Sequence, residues 1–448
     1  MLSWTAPNVS MMMTAMKPEP PTRDALSDAL RDARARTLEL ASGLTDEQLM
    51  GPRLDLVNPL RWEVGHVGWF QERWALGHLW GEPPIRKDAD TLYDSTKVAH
   101  DARWDLPLPT MVATLSLVGE ILDRIQDRIA TRDLSEKAAY FYRLALFHED
   151  MHDEAFTVAR QTLAYPEPRF ASASGPAGSA FAGPLPGDVE VPGGTYPLGA
   201  TSDIRFVFDN EKWAHEVQVA PFHIARAPVT NLEFAEFVEA GGYASEQYWT
   251  REGWRWRSSL AAERPVYWEP GFRWRRYDRV EPLEPHHPVI HVNAFEAEAY
   301  CRWAARRLPT EAEWELAASG YPDGGRKGVF PWGDEAPTPE RANVDGGAGR
   351  TIDVAALPAG DSPFGCRQMI GNVWEWTATR FLPYPGFVAD PYKEYSEPWF
   401  QTPHRVLRGG CWATRGRLIR NTWRNFYEPN RRDVFGGFRT CALQENAR

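Results

Sequence analysis

Two histidines four residues apart are the most informative chemical feature of this chain. Residues 148–152 read His-Glu-Asp-Met-His, and on a helix this spacing places both imidazoles on one face, one turn apart. Two such side chains can reach one metal ion. The string also matches the H-E-x-x-H pattern of zinc proteases, in which Glu149 would act as the general base. The alternative interpretation is a pair of core histidines with a purely structural role.

The residues around this pair predict a long buried helix. Small and apolar side chains recur at intervals of three and four on the histidine face: Ala138, Phe141, Ala145, His148, His152, Ala155 and Ala159. Since small side chains let another helix approach closely, we expect this face to point into a helical bundle.

Three further amphipathic helices are predicted before this one. Apolar residues repeat at helical spacing over residues 26–40, from Pro59 to about residue 80, and over residues 111–129. Four such helices favour a bundle. His66 lies on the inward stripe of the second helix, among tryptophans, and is the candidate third metal ligand. A structural histidine is the alternative there.

Length and composition narrow the class of protein. A chain of 448 residues is long enough for two or three domains, and its net charge of −11 argues against a nucleic acid or an anionic membrane as partner. No apolar run approaches the roughly 18 residues that span a bilayer. The four cysteines show no CxxC spacing, which favours a reducing cytoplasm. A monomer or small homo-oligomer is expected.

Four regions are predicted along the chain. Residues 1–23 lack a signal pattern and are expected to form a flexible leader, and residues 24–165 the bundle. Residues 166–188 are rich in Pro, Ala, Ser and Gly and predict a linker. Residues 189–448 alternate short apolar runs with Gly, Pro and Asn, which indicates an α+β domain.

The α+β domain is predicted to contain few helices. They are expected near residues 230–240, 294–305 and 310–319, the last with Thr310 as N-cap. Twenty tryptophans, mostly after residue 210, either fill an irregular core or line a pocket for a cationic ligand.

The second domain resembles the formylglycine-generating enzymes (sulfatase-modifying factors), which have a C-type-lectin-like fold. Seven motifs in order carry the resemblance: residues 193–199, 221–234, 307–315, 331–334, 371–376, 407–410 and 436–439. The generating enzymes hold copper with a cysteine pair after the Arg-Gly-Gly segment. Here Cys411 follows that segment with no second cysteine nearby, so the resemblance implies the fold and not the copper chemistry.

The bundle and this domain together resemble the ergothioneine-synthase (sulfoxide synthase) family, whose bundle is DinB-like. That family holds a non-haem iron through a histidine of the second bundle helix and an H-x3-H-x-E motif. The resemblance therefore implies His66, His148 and His152 as ligands of Fe(II), with O2 as co-substrate. It also supplies the third ligand upstream of the motif, whereas a zinc protease supplies it downstream. Glu154 completes the motif but lies about 200° round the helix from His152, so we expect it to play a supporting or structural role.

The resemblance also implies substrates and their contacts. Family members join sulfur or selenium to a ring carbon of hercynine, the trimethylated betaine of histidine. In the Pro-Tyr-Lys-Glu-Tyr-Ser segment at 391–396, Tyr392 would donate a proton or hydrogen atom during oxygen reduction, and Tyr395 would help to bind hercynine. Asn425 would contact the hercynine carboxylate, and Phe426 its trimethylammonium group, which aromatic faces bind well. The alternative is that both tyrosines simply pack on a tryptophan-rich core.

The loop at residues 93–104 departs from the family pattern. Members that use γ-glutamylcysteine carry an arginine-rich loop here, which grips the two donor carboxylates. This chain keeps only Lys97 and Arg103, opposed by Asp94 and Asp101. Arg103 stays a candidate donor contact, and Tyr93, Ser95 and Trp104 are candidate contacts to a sugar.

Two further departures concern the substrate pocket. Met151 stands where the family commonly has Gln, and Tyr427 where γ-glutamylcysteine users often have an acidic residue. All these differences favour a neutral selenosugar donor and a carbon–selenium bond, as in the selenoneine synthase branch. An ergothioneine-type sulfoxide synthase using γ-glutamylcysteine or cysteine is the alternative. A non-catalytic lectin-like binding protein is the second alternative.

Overall fold

The computed structural model describes residues 21–171, 175, 181–320 and 326–444. Most of the predicted leader, residues 1–20, lies outside the described residues, and Arg23 already begins the first helix. The predicted linker is described only in part, and the first strand begins at Asp188. The predicted domain boundaries therefore stay a prediction.

Four long helices form the N-terminal bundle, as predicted, and two short helices lie in the connections. The helices are α1 (Arg23–Ala41), α2 (Asp46–Met50), α3 (Leu60–Gln71), α4 (Ala89–Tyr93), α5 (Met111–Thr131) and α6 (Glu136–Thr162). Thr22, Thr110 and Ser135 cap α1, α5 and α6 by accepting a hydrogen bond from a backbone N–H of the first turn.

The helix α3 continues directly into a π-helical segment, Glu72–His78. A π turn contains an extra residue, so it rotates the side chains that follow. Trp74 is consequently buried and Arg73 exposed. An unbroken α-helical period would instead place residue 73 on the same face as residues 66 and 69.

Two glycines let α3 pack closely against its neighbours. A Cβ atom on Gly65 would overlap the ring of Tyr93, and one on Gly68 would overlap Val118 of α5. Backbone contact on both sides therefore fixes the position of α3, and with it the position of His66.

The second domain consists of short strands and loops around four further helices. Its strands are β1 (Asp188–Val191), β2 (Gly194–Leu198), β3 (His215–Val219), β4 (Phe222–Ala225), β5 (Trp268–Glu269), β6 (Arg273–Arg276), β7 (Arg279–Pro282), β8 (Arg306–Arg307), β9 (Trp374–Arg380), β10 (Arg405–Arg408), β11 (Asn425–Tyr427), β12 (Gly436–Gly437) and β13 (Cys441–Ala442). Within the described residues they form sheets in the orders β1-β4-β13-β8, β11-β10-β9-β12, β2-β3 and β5-β6-β7.

The helices of this domain are α7 (Asn231–Glu239), α8 (Arg251–Ser259), α9 (Ala294–Trp303) and α10 (Glu311–Ser319). Three of them confirm the predictions, including the capping box in which Thr310 and Glu313 bond reciprocally. Helix α8 was not predicted. None of the described helices is both long and apolar enough to cross a membrane.

Buried arginines hold the second domain together. Arg408 donates to both Glu311 and Glu315, Arg424 donates to Glu311, and Arg439 donates to Glu375. All of these side chains are almost fully buried. Because loss of one partner leaves a buried charge unpaired, breaking such a pair costs about 3–5 kcal/mol. Several of the ordered sequence motifs are thus ion-pair partners in the core.

The apolar core is continuous between the two domains. One cluster of buried side chains includes Phe70 and Phe147 of the bundle together with Phe206, Trp374 and Trp423 of the second domain. Side chains from both domains can therefore contribute to one site.

The close packing of α3 gives a stability prediction. Gly65→Ala should lower the free energy of unfolding by about 1–3 kcal/mol, because the added methyl group overlaps Tyr93. Gly119→Ala on α5 is the matched control: its Cβ meets nothing within 4 Å, so it should stabilise by roughly 0.5–1 kcal/mol. Denaturant unfolding measures both, and equal effects would contradict the packing described for α3.

Candidate metal centre

Three histidines converge where α3 meets α6. Helix α3 supplies His66, and α6 supplies His148 and His152. One ring nitrogen from each lies within 4.8 Å of the others, and the ring centroids are 4.5–5.1 Å apart. His66 and His148 are each only 3% exposed, whereas the His152 side chain is 20% exposed. The group is therefore enclosed on the side of His66 and His148 and most accessible at His152.

Hydrogen bonds fix which nitrogen of two of the rings carries the proton. Nδ1 of His66 lies 2.7 Å from the Tyr93 carbonyl oxygen. Nδ1 of His152 lies 2.7 Å from Oε1 of Glu63. A carbonyl or carboxylate oxygen can only accept, so both Nδ1 atoms donate and Nε2 is the nitrogen of each ring left to bind a metal. This is the usual support of a metal-bound histidine.

His148 is held differently. Its ring lies flat against Phe70, with centroids 3.5 Å apart and an interplanar angle of 1°. Its Nδ1 is buried and has no hydrogen-bond partner among the described residues. Phe70 thus fixes the plane of this ring by stacking, and hydrogen bonds do not.

All three rings suit a metal ion. Burial holds the pKa of His66 and of His148 well below the usual range, and the neighbouring imidazoles lower both pKa values further. Both rings are therefore neutral at physiological pH, which is the metal-binding form. Imidazole ligands suit iron and zinc alike, so the donor set alone does not select the metal.

Tyr392 lies beside this group. Its ring centroid is 4.9 Å from that of Phe70, 6.0 Å from that of Trp74 and 6.2 Å from that of His148. Burial raises the pKa of Tyr392, with smaller contributions from Glu394 and Asp94. The hydroxyl therefore keeps its proton at neutral pH and is available as a donor.

Tyr395 continues the aromatic contact away from the histidines. Its ring centroid is 6.3 Å from that of Tyr392 and 4.3 Å from that of Phe208. The indole N–H of Trp423 donates to its hydroxyl at 3.4 Å. The second domain thus surrounds Tyr395 on the side away from the metal ligands.

Residues at both ends of the tyrosine segment are anchored. The Asp390 carboxylate accepts from Lys212 Nζ at 2.7 Å and from the Tyr140 hydroxyl at 3.0 Å. Ser396 donates to Asp209. Because Tyr140 and His148 both belong to α6, the anchor ties the tyrosine segment to the helix that carries two of the histidines.

Strand β11 contributes three of the predicted substrate contacts. It pairs with β10, with Phe426 opposite Val406. Strand alternation places Asn425 and Tyr427 on one face and Phe426 on the other. Phe426 stacks on Phe381 with centroids 3.9 Å apart and lies 6.0 Å from Tyr395. Phe426 thus lies near Tyr395, whereas Asn425 and Tyr427 lie on the opposite face of the strand.

Arg103 is already engaged by the protein. Its guanidinium lies 4.0 Å over the ring of Trp62 and donates to Asn58. Trp62 in turn stacks on His66 with centroids 4.8 Å apart. The Trp62 ring therefore lies between the Arg103 guanidinium and the His66 ring. Met151, beside His152, is half-buried and packs on the main core.

The candidate sugar contacts of the loop are dispersed. Tyr93 is only 1% exposed and packs against Gly65, so it supports His66 and cannot contact a sugar. Trp104 donates to the carbonyl of Gly51, and Ser95 is exposed.

Glu154 faces away from the histidines and binds the second domain. It is 7% exposed and accepts from the Trp374 indole at 2.7 Å and from the Thr414 hydroxyl. Sequence reasoning missed the supports at Glu63 and Phe70. Glu63 could have been found from one signal in the sequence, because it is a carboxylate three residues before the candidate ligand His66.

Comparisons with known proteins agree with this architecture. The DinB superfamily matches residues 29–156, and the Sulfatase-modifying factor enzyme 1-like domain matches residues 175–443. A formylglycine-generating enzyme of Thermomonospora curvata is 36% identical over 223 residues, 43% of this chain and 71% of that protein. The structure of PvdO from Pseudomonas aeruginosa covers 57% of this chain and 93% of its own, with 24% identity and a TM-score of 0.42. The two family matches define a DinB-like bundle joined to a domain of the sulfatase-modifying-factor type, as predicted.

Relatives along nearly the whole chain identify the family. The Hercynine oxygenase of Mycolicibacterium smegmatis is 36% identical over 424 residues, which cover 93% of this chain and 98% of that protein. That of Mycobacterium tuberculosis is 38% identical over 421 residues, with the same coverage. The chain belongs to the family of these hercynine oxygenases, and the resemblance to the ergothioneine-synthase family is confirmed. The selenoneine branch stays a prediction.

The triad gives a metal-binding prediction. His148→Ala should lose nearly all bound Fe(II) while the bundle stays folded, because one of three ligands is removed from a stripe of small residues. Metal analysis after anaerobic loading, with circular dichroism, measures both. His100→Ala is the control, since His100 lies in the bundle outside the triad and bonds to Val57. Iron content equal to wild type in His148→Ala would remove His148 from the ligand set.

The anchor of the tyrosine segment gives a pH prediction. Burial raises the pKa of Asp209 to about 6, so the folded protein holds this proton more tightly than the unfolded chain does. Its contribution to stability is therefore present at low pH and is lost as pH rises through about 6. Relative to Asp209→Asn, wild type should lose on the order of 2–3 kcal/mol of unfolding free energy between about pH 4 and pH 7. A difference that stays constant with pH, or that grows, would contradict the buried position of this carboxyl.

Proposed function

We propose that this protein is a mononuclear non-haem Fe(II) enzyme that uses O2 to join a chalcogen to a ring carbon of hercynine, with a selenosugar as its preferred donor. The observation that carries the proposal is the triad of three converging imidazoles beside Tyr392. The relatives named hercynine oxygenase support the choice of hercynine.

The proposed reaction balances with one O2. Breaking the imidazole C–H and donor Se–H bonds and forming C–Se releases two electrons and two protons. Oxidising the selenium to a selenoxide releases two more electrons. These four electrons reduce one O2, so that one oxygen atom ends on selenium and the other leaves as water.

The protein's own groups would perform the positioning and the proton transfer. Fe(II) held by His66, His148 and His152 would bring O2 and the donor together and accept and pass on electrons. Tyr392 holds a proton beside that position because burial keeps it un-ionised. Phe70 and Trp74 pack against Tyr392 and hold its ring in place.

Residues of the second domain would hold hercynine. The amide of Asn425 can donate to the hercynine carboxylate, and the ring of Tyr395 lies between Tyr392 and Phe426. Those aromatic faces can accept the quaternary ammonium group. Tyr427 shares the face of β11 with Asn425, and Met151 lies beside His152; we propose that both border the bound substrate.

The cations of the 93–104 loop support a donor without carboxylates. Lys97 pairs with Asp90 at 3.1 Å and with Asp94 at 2.9 Å. Arg103 is engaged by Trp62 and Asn58. Neither cation is free to grip the two carboxylates of γ-glutamylcysteine, so a neutral selenosugar fits this loop better.

Two alternatives remain. The first is an ergothioneine-type sulfoxide synthase that takes a thiol donor, and the hercynine oxygenases, which are 36–38% identical, support hercynine as its acceptor equally well. A non-catalytic lectin-like binding protein would not need three converging imidazoles and a protonated tyrosine beside them, which makes it the weaker alternative.

Donor competition tests the proposal. The protein is loaded anaerobically with Fe(II) and then supplied with air, hercynine and one of three donors: a 1-selenosugar, γ-glutamylcysteine or cysteine. Mass spectrometry should show more product in the reaction with the selenosugar than in the reaction with either thiol. A sulfoxide formed mainly from a thiol would favour the ergothioneine alternative, and no product from any donor with iron bound would contradict the choice of hercynine.

Tyr392→Phe tests the proton donor. It should retain iron and substrate affinity but slow product formation by roughly 10²-fold or more, and oxidised donor should accumulate instead of coupled product. Tyr142→Phe is the control, a buried tyrosine of α6 that accepts from Trp80 and lies outside the site. A wild-type rate and product ratio in Tyr392→Phe would exclude this role.

A further inference from the structure

A cavity of about 370 Å³ lies beside the π-helical segment. The side chains that line it and matter here are Trp69, Glu72, Arg73, Trp74, His78 and Asp90. Its volume is in the range of small-ligand pockets. The predicted substrate residues do not line this cavity.

Two tryptophans connect this cavity to the metal centre. The Trp69 ring stacks on His66, with centroids 5.5 Å apart. The Trp74 ring lies 6.0 Å from Tyr392. A molecule in the cavity would therefore be one aromatic ring away from a metal ligand and from the proposed proton donor.

The π turn creates this arrangement. In an unbroken α-helix, residues 69 and 73 would share a face and residue 74 would lie about 100° from 73. The extra residue of the π turn instead buries Trp74 and leaves Arg73 exposed. Both indoles can then border one cavity with the guanidinium at its edge.

The polar groups of the cavity suit hydroxyl groups. Oε1 of Glu72 accepts from the Ile85 amide at 2.7 Å, and Glu72 is only 5% exposed. Its second oxygen has no hydrogen-bond partner among the described residues. Asp90 accepts from the Trp69 indole at 2.8 Å and lies 3.5 Å from Arg73. Carboxylates and a guanidinium around aromatic faces match a molecule that carries both C–H faces and hydroxyls.

Two carboxylates of the cavity already pair with neighbouring cations. Arg73 and Lys97 both lie against Asp90, and Arg128 pairs with Glu82. A neutral polyhydroxylated donor can bind by hydrogen bonds to these groups without requiring an unpaired cation.

We propose that this cavity binds the sugar ring of the selenosugar donor, with the sugar stacked on Trp69 and Trp74 and the chalcogen directed toward Tyr392. This inference rests on the proposed function and adds to it the location and chemistry of the donor site. In the γ-glutamylcysteine users the 93–104 loop binds the donor. In this protein the donor would bind in the cavity, and the loop would not be needed for donor binding.

Arg73→Ala is the first test, because Arg73 is exposed and its loss leaves the bundle core intact. The KM for the selenosugar should rise about tenfold, with kcat and the KM for hercynine nearly unchanged. Glu72→Gln should raise the same KM while keeping the shape of the cavity. Arg31→Ala is the matched control: Arg31 is a comparably exposed bundle arginine that pairs with Asp28 outside the cavity.

A second measurement separates this inference from the proposed function. Calorimetry with an unreactive methyl 1-thioglycoside should detect binding to wild type and to Arg31→Ala, with binding weakened about tenfold in Arg73→Ala. If Arg73→Ala and Glu72→Gln both turn over the selenosugar with an unchanged donor KM, the assignment of the donor site to this cavity is wrong, and the proposed function still holds. Thioglycoside binding that depends on Arg73, without turnover of any selenosugar, would overturn the function and leave the sugar site.

Discussion

Three imidazoles can bind one metal ion only through unprotonated ring nitrogens, and the rest of this structure depends on that constraint. The centroids of the three rings lie 4.5–5.1 Å apart. Burial keeps the rings of His66 and His148 neutral by lowering their pKa values. The Tyr93 carbonyl and the Glu63 carboxylate accept hydrogen bonds from Nδ1 of His66 and of His152, which leaves Nε2 of each ring as the nitrogen available to a metal ion.

Helix α6 connects the three histidines to the second domain. One of its faces carries the histidines, and its other faces bind residues more than 200 positions later in the chain. Asp150 pairs with Arg417 at 2.7 Å, Glu154 accepts from Trp374, and Tyr140 donates to Asp390 beside Tyr392. These contacts are buried or half-buried, so they fix the tyrosine segment relative to the three histidines. The site therefore exists only where the two domains meet.

Local patterns were the predictable part of this molecule. An i, i+4 histidine pair and the Thr310 capping box depend on helix geometry alone, and both were found from spacing. The π turn was not predicted, because the helical spacing used to recognise helices assumes 3.6 residues per turn throughout. The Tyr93 carbonyl that supports His66 was also missed, because every residue has a carbonyl. Tyr392 was found only by resemblance, since the Asp390 anchor has its partners 250 and 178 residues away.

The central claim is that the three imidazoles hold one iron beside Tyr392. Anomalous diffraction at the iron edge, from crystals grown and loaded with Fe(II) without oxygen, tests it most directly. The account predicts a single strong peak within coordination distance of His66, His148 and His152, with the Tyr392 hydroxyl facing its open side. A peak elsewhere, or no peak at the triad in protein that retains iron, would contradict it.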